Sequence, residues 1–332
     1  ALTPAAQKLQ RLESQWYSFA NCSQVAELLP SKGLGTLRLK RIIGTPLFES
    51  WHEHNLDQVF NALDFDPLDK LISRDRVDSD HYYEIVTKIK ERCKSIKDVV
   101  NSFPKVTRVN GVEIGRLDDM LERAYRHIID NQIDKPYSII HGDPNFSNLM
   151  SEAGTGFIRV IDPRGYFGKT EIFGPKMYDE AKVLYALSGY DEFNSSATWG
   201  ALEINPKDGE AFINIEPLCE DSMNDPRFTD LHHLWNAIIW LGLGGYFKNN
   251  PLKSVAAYYY GMMLLSSALH RMGRKLEDGS CVKTLLSPAT FSIKTKCPEK
   301  WLPTDLETGV EYKPSVNCAG YKLASENEWV KV

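Results

Sequence analysis

The sequence predicts an α+β fold whose larger part is mainly helical. Apolar residues recur with helical spacing over residues 82–100 and 117–128, and again over 231–242, which indicates helices that each bury one face. Two short apolar runs, residues 137–140 and 157–161, have the length of strands and enclose a polar loop. Helices that surround a few short strands are typical of an α+β domain.

The composition permits a sizeable core and argues against two classes of partner. The chain has 332 residues, of which 42% are hydrophobic, enough for one large domain or two ordinary ones. A formal net charge of −5 argues against nucleic acid and anionic membranes as partners, because both attract basic surfaces. The uncharged stretch 254–269 is shorter than the roughly 20 apolar residues that cross a bilayer. It therefore predicts a buried helix.

The six cysteines are scattered, without a CxxC pair or a cluster with histidine. This pattern predicts neither a zinc site nor a disulfide framework. We expect reduced thiols in a cytoplasmic protein. The last three cysteines, at positions 281, 297 and 318, lie closer together, so a bond among them stays an alternative.

The N-terminal segment predicts a helix followed by a strand. Residues 3–19 bring apolar side chains to one helical face. Residues 37–40 alternate between apolar and basic side chains, the period-two pattern of a half-buried strand. Gly44, Thr45 and Pro46 follow and are expected to end the strand in a turn.

The strongest chemical signal lies in Ile-His-Gly-Asp-Pro-Asn-Phe-Ser-Asn, residues 140–148, and in Ile-Asp-Pro-Arg-Gly, residues 161–165. These segments supply the carboxylates of Asp143 and Asp162 and the carboxamide of Asn148. Phosphoryl transfer needs such groups, because Mg²⁺ takes oxygen ligands from Asp and Asn and a carboxylate orients the attacking hydroxyl. A plain turn is the alternative, since Asp and Asn also favour turns.

The same residues carry a resemblance to a known family. His-Gly-Asp, four intervening residues and Asn, followed by Ile-Asp, resembles the motif of the aminoglycoside phosphotransferase and choline kinase families, small-molecule relatives of protein kinases. The longer pattern, with Tyr178-Asp179-Glu-Ala-Lys182, resembles more closely the phosphotransferase-family proteins associated with bacterial surface-polysaccharide synthesis. Methylthioribose kinases share an Ile-Asp-Pro followed by a Gly-Pro, as at residues 174–175. The resemblance covers roughly residues 36–270.

The resemblance implies a protein-kinase-like two-lobed fold with a mainly helical C-lobe and a truncated N-lobe. It implies that Asp143 is the catalytic base, with His141 as a structural support in the same catalytic loop. It further implies that Asn148 and Asp162 bind Mg²⁺. These roles follow a layout in which a catalytic-loop Asp serves as base while an Asn and a later Asp hold metal.

Two more residues of the region, Asp179 and Arg164, each have two possible roles. The resemblance implies that Asp179 holds the catalytic loop through its backbone, although an Asp in a first helical turn also complements the helix N-terminus. It implies that Arg164 contacts a phosphate or the acceptor. An ordinary salt bridge is the equal alternative for Arg164.

The resemblance also assigns a nucleotide site before residue 44. It implies that backbone groups of Arg41, Ile42 and Ile43 hold the adenine of ATP at a hinge between the lobes, and an edge strand ending in a turn is the alternative. In these families a Glu on a nearby helix pairs with an ATP-binding Lys. Glu13 is a candidate for that Glu, against the alternative of a solvated side chain.

The expected small lobe is incomplete in this sequence. A Gly-rich loop followed by a Lys-bearing strand is not found before the hinge, and the glycines at 33 and 35 lack a third. We expect either a longer reading frame or a reduced nucleotide lid. The predicted division is a small-lobe remnant in residues 1–44, the large catalytic lobe in 45–275, and a loop-rich tail in 276–332. Residues 190–228, which are mostly polar, are interpreted as an insertion over the acceptor site.

Two further patterns are interpreted as structural. Gly242-Leu-Gly244-Gly245 resembles a dinucleotide-binding loop but lies inside a helical pattern, so helix packing is the preferred interpretation. Adjacent His232 and His233 cannot face one metal ion along a helix. They are expected to be surface or capping residues.

The predicted function is ATP-dependent phosphorylation of a hydroxyl on a small molecule, with ATP and Mg²⁺ as cofactors. A sugar or an amino-alcohol destined for a surface polysaccharide is the expected acceptor, and neither nucleic acid nor membrane is an expected partner. The alternative is a pseudokinase or interaction module that lacks a complete nucleotide-binding lobe. We also expect ATP affinity to depend almost wholly on Mg²⁺ and Asp162.

Overall fold

The computed structural model describes residues 28–29, 38–65, 71–164, 166–171, 173–195, 201–278, 321–325 and 328–331. The helices are α1 (Asn55–Ala62), α2 (Arg74–Tyr82), α3 (Lys88–Ser95), α4 (Lys97–Asn101), α5 (Leu117–Gln132), α6 (Lys176–Leu187), α7 (Tyr190–Ser195), α8 (Glu220–Met223), α9 (Asp230–Tyr246) and α10 (Pro251–Asp278). The strands are β1 (Leu28–Leu29), β2 (Arg38–Leu39), β3 (Gly44–Pro46), β4 (Arg108–Val109), β5 (Val112–Glu113), β6 (Ser138–Ile139), β7 (Leu149–Glu152), β8 (Ile158–Val160), β9 (Tyr166–Phe167), β10 (Thr170–Glu171), β11 (Phe173–Gly174), β12 (Ala201–Asn205), β13 (Glu210–Asn214), β14 (Tyr321–Ser325) and β15 (Glu328–Lys331).

The larger core is built around helices α9 and α10. This confirms the helices predicted over residues 231–242 and 254–269. Helix α9 packs against α3, α6 and α10, and its Trp235 and Trp240 are fully buried. A helix that is apolar on nearly every side needs neighbours on every side. The predicted α+β class with a mainly helical large lobe is confirmed for the described part of the chain.

The glycines of α9 permit its close approach to α3. A Cβ on Gly245 would lie 2.8 Å from the Cβ of Arg92, and one on Gly242 would lie 3.1 Å from Ile89 Cδ1. Residues 242–245 are helical, so helix packing, and not a dinucleotide loop, explains them. At the other end of α9, His232 completes a capping box with Thr229. This capping role was expected, but the side chain is buried and is not a surface residue.

The helix predicted over residues 82–100 is confirmed with two irregularities. It begins earlier, with α2, and runs through a π-helical turn, Tyr83–Thr87, into α3. Ile96 then separates α3 from α4. Such π turns often occur at functional sites. The helix predicted over residues 117–128 is confirmed as α5.

A three-stranded sheet of order β3-β7-β8 frames the catalytic-motif region. The turn predicted at residues 44–46 is wrong, because these residues form β3 and pair with β7. Gly44 allows this pairing, since a Cβ there would lie 2.1 Å from the carbonyl oxygen of Ser151. Pro46 is tolerated because β3 is an edge strand and its missing N–H removes no ladder bond.

A four-stranded sheet of order β12-β13-β4-β5 lies in the helical part. Strand β13 pairs in parallel with β4 and antiparallel with β12. The side chain of Asn110 fixes the register, because it both donates to and accepts from the backbone of Ile213 at 2.9 and 2.8 Å.

Some expectations fall outside the described residues. These are the helix over residues 3–19, Glu13, and the glycines at 33 and 35. The strand expected over residues 37–40 is present as β2, which pairs with β1. Cys93 and Cys219 are free thiols. Within the described part of the chain, none of the helices combines the length and hydropathy needed to cross a bilayer.

Candidate active site

Asp179 holds the first half of the loop that contains Asp143. Its Oδ2 accepts the backbone N–H of His141 and its Oδ1 that of Gly142, both at 2.7 Å. The carboxylate is buried in α6, and burial raises its pKa to about 7 despite these two hydrogen bonds. Gly142 has φ +80° and a Cβ there would meet Arg164 at 3.0 Å, so this turn requires glycine.

A second buried carboxylate, Asp191 of α7, holds the other half of the loop. Its two oxygens accept the backbone N–H groups of Phe146 and Ser147, both at 2.9 Å. Burial raises the pKa of Asp191 to about 6. Sequence reasoning missed this residue, because it looks like any acidic residue in a first helical turn.

His141 joins the loop to the segment after β8. Its Nε2 lies 2.8 Å from the carbonyl oxygen of Ile161, and its Nδ1 lies 3.2 Å from the backbone nitrogen of Asp143. This network assigns a neutral ring that donates from Nε2 and accepts at Nδ1. Burial lowers the pKa of His141, which favours that neutral form. Both nitrogens are occupied, so the geometry suits positioning and not proton transfer to a substrate.

Asp143 lies at the rim of a cavity and is paired with Lys182. Its Oδ1 is 2.8 Å from Lys182 Nζ, and its side chain is 37% exposed. Burial alone would raise the pKa of Asp143, but the charge and hydrogen bond of Lys182 outweigh it and hold the pKa below its usual range. The carboxylate is therefore ionised at neutral pH. Lys182 was part of the quoted sequence pattern, but no role was predicted for it.

Asn148 and Asp162 are brought together by the pairing of β7 with β8. The backbone N–H of Ile161 donates to the carbonyl of Asn148 at 2.9 Å. The Asn148 amide Nδ2 donates to the backbone oxygen of Asp143 at 2.9 Å, which leaves its Oδ1 as an acceptor. Asp162 is exposed, with φ +51°. Two hard oxygen donors of this kind suit Mg²⁺, with phosphate oxygens and water completing its shell.

A metal site made by the protein alone is not present among the described residues. No three His, Cys, Asp or Glu side chains cluster there in a way that would hold an ion. Mg²⁺ commonly keeps several waters and substrate phosphates in its shell.

The residues expected to hold adenine lie beside the end of β7. The carbonyl oxygen of Ile43 accepts the backbone N–H of Ala153 at 2.8 Å, so this acceptor is already used within the protein. No described residue hydrogen-bonds to the backbone of Arg41 or Ile42. The side chain of Ile43 is 72% exposed.

Arg164 forms the salt bridge that was one of its two predicted roles. Its Nη2 lies 2.9 and 3.0 Å from the two carboxylate oxygens of Glu84, and its Nη1 donates to the hydroxyl of Tyr178 at 2.6 Å. Glu84 lies in the π-helical turn and also accepts from Lys88. These pairings lower the pKa of Glu84 to about 2, although its burial opposes the shift.

A cavity of about 280 Å³ opens beside Asp143. Its charged lining residues are Glu84, Lys88, Arg92, Asp143, Arg164 and Lys182. Its aromatic lining residues are Tyr166, Tyr178, Tyr185, Tyr190, Trp235 and Tyr246. The hairpin β12–β13 contributes no described residue to this lining. Of the described residues of the insertion expected to cover the acceptor site, Tyr190 alone lines the cavity.

Comparisons with known proteins give a limited result. No protein-family model matches the chain, and no curated protein matches it. Among solved structures the chain is similar to an ethanolamine kinase of Plasmodium vivax, with 13% identity over 80% of this chain and 73% of that chain, and a TM-score of 0.41. It is also similar to a choline kinase of Cryptosporidium parvum Iowa II, with 12% identity over 81% and 79% of the two chains and a TM-score of 0.34. Likenesses of this size transfer neither a substrate nor a residue role.

Proposed function

We propose that this chain transfers the γ-phosphoryl group of ATP to a hydroxyl of a small molecule. One observation carries the proposal. The carboxylate of Asp143 lies at the rim of a cavity, and the side-chain oxygens of Asn148 and Asp162 lie on the adjoining segments. An acceptor in the cavity would meet a carboxylate on one side and a triphosphate held by oxygen donors on the other.

In the proposed reaction, the acceptor oxygen forms a bond to the γ-phosphorus as the bond to the bridging oxygen of ADP breaks. Asp143 accepts a hydrogen bond from the hydroxyl and takes its proton as the new bond forms. A carboxylate of low pKa is a weak base, so its larger contribution is orientation. Lys182 keeps Asp143 ionised and lies near the transferred group, where it offsets negative charge.

The metal and the supporting residues have separate roles in the proposal. Asn148 and Asp162 would hold Mg²⁺, which neutralises charge on the phosphates when it is bound. Asp179 and Asp191 fix four backbone N–H groups of the loop, and His141 fixes the loop against Ile161. These three residues are expected to act through the position of Asp143, and not on the substrate itself.

The first test replaces the proposed base. Asp143→Asn keeps the shape of the side chain but removes its charge, so turnover is expected to fall by roughly 10²- to 10⁴-fold with little change in ATP affinity. Release of ADP with an accepted hydroxyl compound measures the turnover. Asp119→Asn, at a site that is 65% exposed on α5, is the matched control. Unchanged turnover in Asp143→Asn would contradict the proposed role.

The same assay distinguishes a phosphotransferase from the alternative, a pseudokinase or interaction module. A panel of sugars, choline and aminoglycosides is tested with Mg·ATP, and binding of nucleotide is measured in parallel. Turnover with a sugar would support the expected link to surface-polysaccharide synthesis. Nucleotide binding without turnover on any acceptor would support a pseudokinase or scaffold.

A further inference from the structure

We propose that the acceptor bound in the cavity beside Asp143 carries a negatively charged group, a phosphate monoester or a carboxylate, in addition to its hydroxyl. This inference rests on the proposed phosphotransferase function and names the class of its acceptor. Its support is the imbalance of charge in the cavity wall, where four side chains are basic and two are acidic.

The first part of this imbalance lies at Glu84. Lys88 Nζ is 2.5 Å from one of its oxygens, and Arg164 Nη2 is 2.9 Å from the other. The single carboxylate of Glu84 therefore forms ion pairs with two cations. Their side chains are largely buried, with 14% of Lys88 and 11% of Arg164 exposed. Burial and the charge of Arg164 lower the pKa of Lys88 to about 7. An anion in the cavity would favour the charged form of Lys88.

The second part lies at Arg92. Its Nη1 donates to the carbonyl oxygen of Gly242 at 3.0 Å, and no described carboxylate lies within ion-pair distance of it. Lys182 is already paired with Asp143. The wall thus carries up to two positive charges that no carboxylate of the described residues balances. Lys88 is largely buried and shares its carboxylate with Arg164, which makes its charge costly, whereas Arg92 is exposed and accessible to a ligand. A dianionic ligand would give both cations a partner.

Two aromatic rings of the cavity, Tyr166 and Tyr185, are unfavourable positions for a cationic acceptor. Aromatic faces bind ammonium groups through cation–π contacts, but a protein cation already lies over each of these two rings. The guanidinium of Arg164 lies 4.2 Å from the ring centre of Tyr166, and Lys182 Nζ lies 4.9 Å from that of Tyr185. A choline-like head group would meet like charge at both rings.

The anion is assigned to the acceptor and not to the nucleotide because of where the cations lie. The two cations that lack a carboxylate of their own, Lys88 and Arg92, both come from α3, and the cavity wall includes no described residue from the hinge segment 41–47 or from β7 and β8. Trp235 also lines the cavity, and its buried indole N–H finds no acceptor among the described residues. A ligand rich in oxygen could accept this hydrogen bond.

Calorimetric titration without nucleotide tests the inference. The probes are glucose 6-phosphate, glucuronate, inorganic phosphate, glucose and choline. Glucose 6-phosphate or glucuronate is expected to bind at least about 10-fold more tightly than glucose or choline, since hydrogen bonds between charged groups are stronger than neutral ones. The tighter binding of glucose 6-phosphate or of glucuronate shows whether the site prefers a phosphate or a carboxylate. The affinity of inorganic phosphate alone shows how much of the binding of glucose 6-phosphate comes from its phosphate group. High ionic strength should weaken the anionic probes and leave glucose unchanged.

Two variants of α3 provide the matched comparison. Arg92→Gln is expected to lower the affinity for the anionic probe by about 10-fold or more. Lys94→Gln, an exposed position of the same helix outside the cavity wall, should leave binding unchanged. Because Arg92→Gln could disturb the packing of α9, the salt dependence of the unaltered protein gives an independent result.

Three outcomes would overturn the inference. The first is binding of glucose or choline as tight as that of the anionic probes. The second is an affinity of Arg92→Gln for the anionic probe equal to that of the unaltered protein. The third is loss of anion binding when a non-hydrolysable ATP analogue with Mg²⁺ is present. The last would assign the cations to the nucleotide. Failure of the proposed function gives a different pattern, in which no acceptor supports ADP release although the anionic sugars still bind.

Discussion

At the scale of single residues, the candidate site depends on buried carboxylates that bind the backbone of the loop around Asp143. Asp179 and Asp191 each accept two backbone N–H groups of the loop between β6 and β7. Loops leave such donors without strand or helix partners, and a buried donor without a partner is costly. The two aspartates satisfy four donors and thereby determine where Asp143 lies.

Replacing Asp191 should lower the free energy of unfolding, because the loop loses this support. In Asp191→Asn one of the two N–H groups meets an amide NH₂, so we expect a loss of about 1–3 kcal/mol in the free energy of unfolding. Turnover should fall as the loop loses its fixed position. Urea titration of the variant and of Asp119→Asn measures the difference, and equal stability of the two variants would refute the expected support.

The same variant has a predicted pH dependence. Burial raises the pKa of Asp191 from 3.8 to about 6, so the folded protein binds this proton more tightly than the unfolded chain does. The contribution of Asp191 to stability is therefore fully present below about pH 3.8 and is lost as the pH rises through about 6. The cost of Asp191→Asn should be about 1 kcal/mol larger near pH 5 than near pH 8. An equal cost at both pH values would contradict the raised pKa.

Asp162 carries the prediction of metal dependence. Its carboxylate is exposed, next to the loop of Asn148. We expect ATP affinity to fall strongly when Mg²⁺ is removed, because the carboxylates of Asp143 and Asp162 would otherwise repel the triphosphate. Calorimetric titration of ATP with and without EDTA measures this. In Asp162→Asn the effect of EDTA should be much smaller, and equal affinity with and without EDTA in the unaltered protein would reject a metal site at Asp162.

At the scale of elements, the contact between α3 and α9 determines the cavity wall. The π-helical turn before α3 carries Glu84, and the first turn of α3 carries Lys88. The glycines of α9 let its backbone approach α3 so closely that Gly242 accepts a hydrogen bond from Arg92. Packing of two helices therefore positions the cations that we assign to the acceptor.

A larger side chain at this contact should separate the two helices. In Gly245→Ala the new Cβ would lie 2.8 Å from Arg92 Cβ and 3.0 Å from its carbonyl oxygen, so we expect a loss of about 1–3 kcal/mol in stability and weaker binding of the anionic probe. Gly273→Ala on α10 is the control, because no atom of the described residues lies within 4 Å of a Cβ at that position. That variant should gain about 0.5–1 kcal/mol, the usual helical preference for Ala. Equal thermal stability of the two variants would contradict the close contact.

At the scale of the whole molecule, net charge and local charge differ in sign. The chain carries a formal charge of −5, yet basic side chains outnumber acidic ones in the cavity beside Asp143. A cavity with walls of low dielectric strengthens the field of its own charges. The overall charge argues against nucleic acid as a partner, but it does not describe what a small acceptor would meet.

The sequence alone determined those features that depend on neighbours in the chain. Helical periodicity predicted α5, α9 and α10, because a helix that buries one face must repeat apolar residues along that face. The apolar runs 137–140 and 157–161 predicted two strands, which the structure has as β6 and β8. Strand β7 was not predicted, because it lies within the loop expected between them. The α+β class followed from these elements. The roles of Asp143, Asn148 and Asp162 were also suggested by the motif, and they stay predictions that the experiments above test.

Only the tertiary structure decided the contacts between residues that are distant in the chain. Asp191 supports Phe146 from 45 positions away, and Arg164 meets Glu84 across 80. Periodicity carries no information about such pairs, because each residue alone looks like an ordinary charged side chain. The turn expected at Gly44 became a strand for the same reason: its hydrogen-bond partners lie in β7. The sequence thus predicted the elements and the chemical groups, whereas packing determined their partners, their protonation and the charge of the cavity.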